Sequence, residues 1–462
     1  MRTVAESSQE RLKLGQQQRK VVPRMDHARW DVKLRRRDPL QLMSESMRGR
    51  VPKLVAVKYE RMAASPFGFF RGAVPVMAYD LSLLKTPAIA AQLCGDAHIR
   101  NLGAYAGPDG RLVFDINDFD ETIVGPFEWD VKRMATSLVV AGRGAGMRDP
   151  DCRSAALVFL EQYRVTMLKL SCMPVLEMVR YQVRRLRSVA TVNGILRLAE
   201  RSTPQHTLEQ LTELRAARSG GEQHRVFKTL PDLTRVTGAM AKKVLASLDE
   251  YGKTLEAERR AFFAQYRALD VAFKVVGTGS VGLRDYCVYL QGNGVKDPLF
   301  LQIKEEARSG YAPYAEKVQG LKAEPKGEHQ GRRVVEGERA MQLQSDPLLG
   351  WTTLEGRPYL VRQLNDHKAS ICLDDLQASA LTEYAEVCGE LLARGHARSG
   401  ACMQIAGYIG RSVRFDNAVA AFASAYADQT EADWKVLAAW WKKKGGGRGS
   451  RAAKKAAGAD HH

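Results

Sequence analysis

The 462-residue chain lacks the features that mark disulfide-stabilised, zinc-binding and membrane-spanning proteins. Its cysteines are widely separated, form no CxxC pair and are odd in number, which argues against a disulfide framework or a zinc site. No N-terminal apolar segment and no run of about eighteen apolar residues is present, which argues against a signal peptide and a transmembrane helix. These absences predict a soluble protein of the reducing cytoplasm.

Charge is the strongest anomaly of the composition, because the chain has 70 Lys and Arg against 52 Asp and Glu and a formal net charge of +18. Such a charge attracts anionic partners, including nucleotides and nucleic acid. Much of the excess lies near the two ends, in "KLRRRD" and "WKKKGGGRGSRAAKKAAGADHH", and both ends are predicted to be solvated, partly disordered tails. No nucleic-acid-binding motif is recognisable, so nucleic acid is expected at most through these basic ends.

Hydrophobic periodicity predicts an α+β chain with two lobes. Residues 91–120 are typical of strand, loop and hairpin, with "GPDG" as the turn, and residues 128–270 are mainly helical. After residue 270 the pattern is that of an antiparallel meander, followed by a helix at about 333–345, a strand "YLVRQL", a long helix capped by Asp, and a helix at about 414–427. The predicted divisions are a basic arm at 1–50, a helical part at 51–268, a β-rich lobe at 269–368, further helices at 369–435 and a basic flexible tail at 436–462.

The loop "CGDAHIRN" places Asp96 and Asn101 five residues apart after a predicted strand. This spacing allows the aspartate to face a hydroxyl while the asparagine turns toward a divalent cation, as phosphoryl transfer requires. Asp118, in "NDFDE", is predicted to supply a second oxygen ligand, and Mg²⁺ needs only a few such oxygens besides phosphates. Taken alone, the loop is equally compatible with a structural polar turn.

A second motif, "VVGTGSVG", lies between two strand-like segments. Its glycines have GxGxxG spacing, which also occurs in ordinary β-turns. A Rossmann turn is disfavoured because the segment that follows looks like a strand and not a helix. The candidate nucleotide-binding residues of this turn are Gly277, Thr278, Gly279, Ser280 and Gly282.

Lys304 lies on an apolar strand, in "LFLQIKEE", where a lysine needs an anionic partner unless its ammonium reaches solvent. Glu336 and Glu338 in "RVVEGERAMQL" are the candidate partners. Glu336 is preferred because it directly follows Val334 and Val335.

Together these motifs resemble the kinase-like superfamily, with a loop closer to aminoglycoside and choline phosphotransferases than to protein kinases. More closely, "RMAASPFGFFRG", "GDAHIRNLG", "FDINDFDE", "GPFEWDVKRMA", "VVEGERAMQ" and "LLARGHARSG" resemble the bacterial family catalogued as domain of unknown function 2252. This resemblance covers residues 30–430 approximately. It implies a two-lobed kinase-like fold and a kinase-like, ATP- and Mg²⁺-dependent phosphotransferase.

The resemblance also implies a role for each matching residue. Asp96 would orient or deprotonate the acceptor, with His98 near the transferring phosphate, and Lys304 would bind phosphates while paired with Glu336. Asn101 and Asp118 would hold Mg²⁺, with Asp115 and Asp120 as rivals for the metal. The remaining matches are Asp130 as a brace of the loop, Cys94 in the place of a histidine, and Arg71 as either a phosphate ligand or a structural arginine.

The order of the motifs departs from that of an ordinary kinase, in which the glycine turn, lysine and glutamate precede the catalytic loop. Moving residues 270–400 ahead of residue 90 restores the usual order, so a circularly permuted kinase fold is predicted. The helix ending at "ARGHARSG" should then pack beside the 94–101 loop.

The leading functional expectation is phosphoryl transfer from a nucleotide to an unknown small-molecule or protein hydroxyl. The alternatives are a nucleotide-binding pseudokinase, a protein nucleotidyltransferase that resembles AMPylases, and, as a different class, a nucleic-acid-binding protein. The pattern leaves the acceptor and the oligomeric state open.

Overall fold

A computed structural model describes residues 6–183, 186–215, 223–275, 277–321, 325, 327–364, 367–372 and 377–446. Within this part the chain is a mixed α+β protein, as predicted. The α-helices are α1 (Ser8–Val21), α2 (Pro39–Ser46), α3 (Pro52–Ala63), α4 (Pro66–Gly72), α5 (Val74–Ser82), α6 (Phe127–Gly144), α7 (Asp149–Ser171), α8 (Val175–Val179), α9 (Ala190–Arg201), α10 (Pro204–Leu211), α11 (Gly238–Thr254), α12 (Ala257–Phe263), α13 (Ala312–Ala315), α14 (Gln330–Met341), α15 (Ala378–His396), α16 (Cys402–Ile409) and α17 (Arg414–Lys443).

The strands form antiparallel sheets. Their bounds are β1 (Ala90–Leu93), β2 (Leu102–Ala106), β3 (Leu112–Ile116), β4 (Ile123–Pro126), β5 (Thr212–Arg215), β6 (His224–Phe227), β7 (Leu233–Val236), β8 (Arg267–Lys274), β9 (Asp285–Gln291), β10 (Pro298–Glu305), β11 (Gly350–Leu354), β12 (Arg357–Gln363) and β13 (Ala369–Ser370). The largest sheet has the order β11-β12-β10-β9-β8-β7. Smaller sheets are β13-β2-β3, β1-β4 and β5-β6.

Strand β10 lies in the middle of the large sheet and is buried on both faces. Because side chains alternate along a strand, Leu301 and Ile303 lie on one face and Lys304 on the other. The first two belong to the same apolar cluster as Val244 and Tyr251 of α11. The sheet thus has one apolar face, whereas the other carries Lys304 toward polar groups.

The long helix α15 packs beside the 94–101 loop, as predicted. The Tyr384 hydroxyl donates a hydrogen bond to the Ile99 carbonyl at 2.9 Å, across 285 residues of sequence. Arg394 of the same helix forms a buried ion pair with Asp115 at the end of β3. The β2–β3 hairpin and the strand "YLVRQL" are also confirmed.

The prediction of a disordered N-terminal arm is wrong for residues 6–50. Helix α1 packs on α16, where Gly15 lies against the Gln404 backbone. Arg35 donates hydrogen bonds to Asp80 and Asp433, each at 2.8 Å. These buried ion pairs fix the arm to α5 and α17, so its basic residues are not merely a solvated tail.

Two further predictions need correction. Strands β5, β6 and β7 interrupt the region expected to be helical, and β7 joins the large sheet, so the division at residues 268/269 falls inside β8. Helix α17 continues to Lys443 and not to about residue 427. The predicted Asp cap of α15 and the tail from residue 447 lie outside the described residues. In the described part of the chain, no helix is long and apolar enough to cross a membrane.

Candidate active site

A central cavity of about 480 Å³ lies where the 94–101 loop, the segment between β3 and β4, the glycine turn and helices α2–α5 meet. Its wall includes Asp96, Asp118, Asp120, Gly279 and Ser280. The volume is within the range of small-molecule binding sites. The structure therefore brings residues from both predicted lobes to one cavity.

The 94–101 loop is held in place by Asp130, which lies in the first turn of α6. Its carboxylate accepts hydrogen bonds from the Cys94 and Gly95 backbone N–H groups at 2.8 and 3.0 Å. The predicted brace is therefore present. Gly95 has a φ of +85°, and a Cβ there would lie 2.0 Å from the Glu121 carbonyl oxygen, so the loop needs glycine at this position.

A buried histidine from α15 supports the same aspartate. His396 Nε2 lies 3.4 Å from Asp130, and its Nδ1 lies 2.8 Å from the Tyr163 hydroxyl. The resemblance to small-molecule kinases predicts a histidine at the position of Cys94, whose thiol is buried. The structure thus supplies a histidine to the brace from a different part of the chain. Sequence reasoning missed His396 because 266 residues separate it from Asp130.

Asp96 is bound by two basic side chains. Arg133 Nε donates to Asp96 Oδ1 at 2.7 Å, and His98 Nε2 lies 3.5 Å from Oδ2. Burial would raise the pKa of Asp96, but Arg133 and His98 outweigh it and hold this pKa well below its ordinary value. A carboxylate this acidic is a weak base, so the arrangement favours orientation of a hydroxyl over removal of its proton. Arg133 was missed because its partner Asp96 lies 37 residues earlier in the sequence.

Asn101 and Asp118 present two acceptor oxygens without hydrogen-bond partners. Asn101 Nδ2 donates to the carbonyls of Asp96 and Asp118, each at 2.9 Å, which fixes the amide. Its Oδ1 and the Oδ1 of Asp118 are buried and accept no hydrogen bond. Buried acceptors are normally satisfied, so this pair fits a cation with oxygen ligands.

The electrostatics of Asp118 also favour a cation. Burial in the cavity and the neighbouring Asp120 carboxylate raise the pKa of Asp118 to about 6, against the opposing effects of Lys304 and Arg362. Nearly half of its side chain, 47%, remains accessible. A divalent ion at this carboxylate would stabilise its ionised form.

Lys304 pairs with Asp120 and not with the predicted glutamate. Its ammonium lies 2.5 Å from both carboxylate oxygens of Asp120 and 3.7 Å from Asp118 Oδ1. Asp120 Oδ2 also accepts a hydrogen bond from the Ser280 hydroxyl at 2.5 Å. Asp120 therefore joins the strand lysine to the glycine turn, which leaves Asp118 as the better candidate for the metal.

The predicted Lys304–Glu336 pair is wrong. Glu336 is 52% exposed and bonds to Arg332 at 2.7 Å, one helical turn earlier. At about 100° per residue, Glu336 points away from the buried stripe of Val334, whereas Glu338, four residues after Val334, lies on it. Glu338 is buried beside Arg362, not Lys304, and burial raises its pKa to about 7.

Helix α14 instead contacts the segment between β3 and β4, and it does so through Arg333. Its guanidinium donates to the carbonyls of Asp120 at 2.8 Å and Ala307 at 3.0 Å, and also to Thr122. These bonds tie the helix, the end of β10 and the residues around Asp120 together. The motif "RRVVEGE" gave no sign of this role, because arginine on a helix is usually solvated.

The glycine turn is closed and well bonded. Val281 N donates to Gly277 O and Leu283 N to Ser280 O, both at 3.0 Å. Thr278 and Ser280 are buried, and Gly282 has a φ of +97°. Val276, the second residue of the motif, lies outside the described residues.

Three further charged residues were considered or missed as site residues, and they differ in whether they line the cavity. Arg71 lies on the cavity wall, close to the glycine turn and to His98. Asp115 forms a buried ion pair with Arg394, and this pairing makes it a poorer candidate for the metal than Asp118. Glu306 was missed: it is buried at the cavity, and burial raises its pKa well above the usual range.

Among the described residues, no group of three or more His, Cys, Asp and Glu side chains is placed to hold a metal ion. A cation at Asn101 and Asp118 would therefore have to complete its shell with water or with oxygens of a bound molecule, as Mg²⁺ commonly does.

Residues 50–439 match the family described as an uncharacterized protein conserved in bacteria, domain of unknown function 2252. The chain belongs to that family. The predicted membership in domain of unknown function 2252 is thereby confirmed, and all candidate site residues lie within the matched range. No curated protein and no solved structure matches the chain.

Proposed function

We propose that the chain is an ATP- and Mg²⁺-dependent phosphotransferase with a hydroxyl acceptor. The observation that carries this proposal is the pair of buried oxygens that accept no hydrogen bond, Asn101 Oδ1 and Asp118 Oδ1, beside a cavity lined by Asp96, Asp118, Gly279 and Ser280. Positioning and charge stabilisation do most of the work in phosphoryl transfer, and these are the functions that such groups perform.

The arrangement also supports a permuted kinase-like fold. From β8 onward the chain passes through the glycine turn, Lys304 on β10, helix α14, strand β12 and helix α15, in the order of a kinase. Helix α15 then contacts the 94–101 loop through Tyr384. In an ordinary kinase the chain would continue from the helix into that loop, whereas here the loop belongs to an earlier segment.

In the proposed reaction, the bond between the γ-phosphorus and the bridging oxygen breaks, and ADP leaves with that oxygen. A new bond forms between the γ-phosphorus and the acceptor oxygen, whose proton passes to water or to a phosphate oxygen. Asp96 orients the hydroxyl, and Asn101 and Asp118 would hold a cation, which would supply neutralisation of the phosphate charge. Lys304 is positioned to contact phosphates once its bond to Asp120 opens.

One observation favours nucleotidyl transfer as a second candidate. None of the described residues that line the cavity comes from β12, which should hold the base in a kinase-like site, whereas α2–α5 and α13 all contribute. A nucleotide in this cavity would then extend toward α3, with its orientation reversed. In that case the α-phosphorus would be transferred and pyrophosphate would leave.

Isothermal titration of ATP, with and without Mg²⁺, tests the proposal directly. Wild type should bind ATP more tightly with Mg²⁺, and Asp118→Asn should lose the Mg²⁺-dependent part of the affinity. Asp109→Asn, an exposed aspartate in the β2–β3 turn, is the matched control and should behave as wild type. Absence of nucleotide binding in wild type would refute the proposal.

A metabolite and protein screen with γ-labelled and α-labelled ATP then separates the candidates. Transfer of the γ label supports phosphorylation, and transfer of the α label supports nucleotidylation. Tight ATP binding with neither label transferred to any acceptor would identify a binding-only pseudokinase.

A further inference from the structure

Basic side chains of helix α3 and of the segment just before it bind the backbone of the glycine turn. Lys58 is only 2% exposed, and its ammonium donates to the Gly279 carbonyl at 2.5 Å. Arg50 donates to the Val281 carbonyl at 2.6 Å and to the Ser46 carbonyl at 3.1 Å. The Val51 N–H bonds to the Gly282 carbonyl at 2.7 Å. These contacts join residues near the N terminus to the β-rich part of the chain.

Neither cation is neutralised by a partner in the described part of the chain. Lys58 and Arg50 bond to backbone carbonyls, and neither forms an ion pair there with a carboxylate. Burial lowers the pKa of both groups, and the nearby Arg50 lowers that of Lys58 further, against the opposing effect of the Asp120 and Glu121 carboxylates. A buried charge without a counter-ion is costly, and a neutral donor would suffice to bind a carbonyl. An anion bound beside Arg50 and Lys58 would stabilise their charged forms.

Both cations line the central cavity, together with Arg71. Arg71 lies close to the same turn, because a Cβ on Gly277 would be 3.4 Å from its Nη2. Lys304, by contrast, is neutralised by Asp118 and Asp120. Arg50 and Lys58 thus place positive charge at the α3 side of the glycine turn, and among the described residues neither forms an ion pair with a cavity carboxylate.

We propose that Arg50, Lys58 and Arg71 form a second phosphate-binding site on the α3 side of the glycine turn. This inference extends the proposed function, on which it rests for the reaction that the cavity serves. The phosphate has two sources to distinguish. It belongs either to a phosphorylated acceptor or to the terminal phosphates of a nucleotide in the reversed orientation.

The test uses inorganic pyrophosphate, titrated into the full chain without Mg²⁺. Lys58→Met should weaken pyrophosphate binding by about tenfold or more, as loss of a charged hydrogen bond does. Lys58→Arg should stay within about threefold of wild type, because it keeps the charge. Lys53→Met, an exposed lysine on the same helix, is the matched control and should bind as wild type.

Arg50→Met provides a second variant with the same expected loss, in case Lys58→Met alters the turn, and thermal unfolding shows whether each variant is folded. Failure of wild type to bind pyrophosphate would overturn the inference. Equal affinity in Lys58→Met, Arg50→Met and Lys53→Met would overturn it as well.

Competition with ATP separates the two sources. If ATP displaces pyrophosphate and Lys58→Met weakens both ligands, the site holds the nucleotide's terminal phosphates. If pyrophosphate still binds to the ATP-saturated protein and Lys58→Met leaves ATP affinity unchanged, the site holds a phosphorylated acceptor. Pyrophosphate binding that depends on Lys58 in a protein that binds no ATP would support this site and refute the proposed function.

Discussion

The Lys304 ammonium lies 2.5 Å from both carboxylate oxygens of Asp120, in a contact that joins strand β10 to the segment between β3 and β4. Removing Lys304 leaves Asp120 without its counter-ion, and removing Asp120 leaves Lys304 only the more distant Asp118, at 3.7 Å. We therefore expect Lys304→Met and Asp120→Asn each to lower the free energy of unfolding by about 3 kcal/mol. The double variant should lose at least about 1.5 kcal/mol less than the sum. Urea unfolding of all four proteins measures this coupling.

The exposed pair Lys243–Glu355, at 2.6 Å, is the control for that cycle. Its coupling should be below about 1 kcal/mol, because water screens an exposed pair. Additive effects at Lys304 and Asp120 would show that their contact carries little energy.

The raised pKa of Asp118 should make the free energy of unfolding fall as the pH rises. Its pKa is raised to about 6 in the folded chain, so the folded state binds the proton more tightly than the unfolded state. The stabilising effect of the protonated form is complete below about pH 4 and is lost as the pH rises to about 6. The free energy of unfolding of Asp118→Asn should therefore exceed that of wild type by about 1 kcal/mol at pH 7.5 and equal it at pH 4. This figure is reduced for solvent screening, because the side chain is half exposed. Thermal unfolding across this pH range checks the difference.

The same ionisation should govern Mg²⁺ binding. Because the metal needs the carboxylate, Mg²⁺ affinity should fall about tenfold for each pH unit below 6. A flat Mg²⁺ affinity between pH 4.5 and 7.5 would exclude Asp118 as the ligand.

Asp96 should matter for turnover and not for nucleotide affinity. Asp96→Asn is expected to lower turnover by about 10³-fold, while the Kd for ATP stays within about threefold. Since Arg133 and His98 hold the pKa of Asp96 well below its ordinary value, it should contribute no acid limb to the rate profile above about pH 4. Rates from pH 4 to 9 test this point. An acid limb near pH 6 that disappears in Asp118→Asn would be assigned to Asp118.

The Glu121 backbone lies so close to Gly95 that adding one methyl group there should greatly lower the free energy of unfolding. Gly95→Ala must accept both a φ of +85° and a Cβ 2.0 Å from the Glu121 carbonyl oxygen, so we expect a loss above about 3 kcal/mol. Gly110→Ala is the matched control, since its φ is +74° and nothing lies within 4 Å of the added Cβ. It should lose only about 1 kcal/mol. Equal losses in urea unfolding would mean that the loop moves to accommodate the methyl group.

Local patterns in the sequence predicted local structure well. "GPDG" between alternating residues identified the β2–β3 hairpin, and alternation after residue 270 identified β8–β10. The same evidence brought Asp96, Asn101 and Asp118 to one loop and one neighbouring segment. These elements are set by contacts between residues that are close in sequence, which is why periodicity and turn chemistry report them.

Partners that are distant in sequence were not predictable in this way. Lys304 needed an anion, but its identity depends on how the sheet faces the residue at position 120, 184 positions earlier. The helical period could have favoured Glu338 over Glu336 as the buried residue, yet neither pairs with the lysine. Arg133 and His396 lie in the quoted motifs "GPFEWDVKRMA" and "LLARGHARSG", but the sequence gave neither a role, because their partners Asp96 and Asp130 are distant in sequence.

The brace between Asp130 and His396 also sets when the site is completed during synthesis. Asp130 leaves the ribosome 266 residues before its histidine, and the 94–101 loop leaves earlier still. A nascent chain that ends before α15 contains Asp96, Asn101, Asp118 and Lys304 but lacks the Tyr384, Arg394 and His396 contacts. Contacts so far apart in sequence form slowly. The candidate site residues from Asp96 to Lys304 are therefore synthesised before the helix that holds the 94–101 loop, and the loop takes its final form only after α15 is complete.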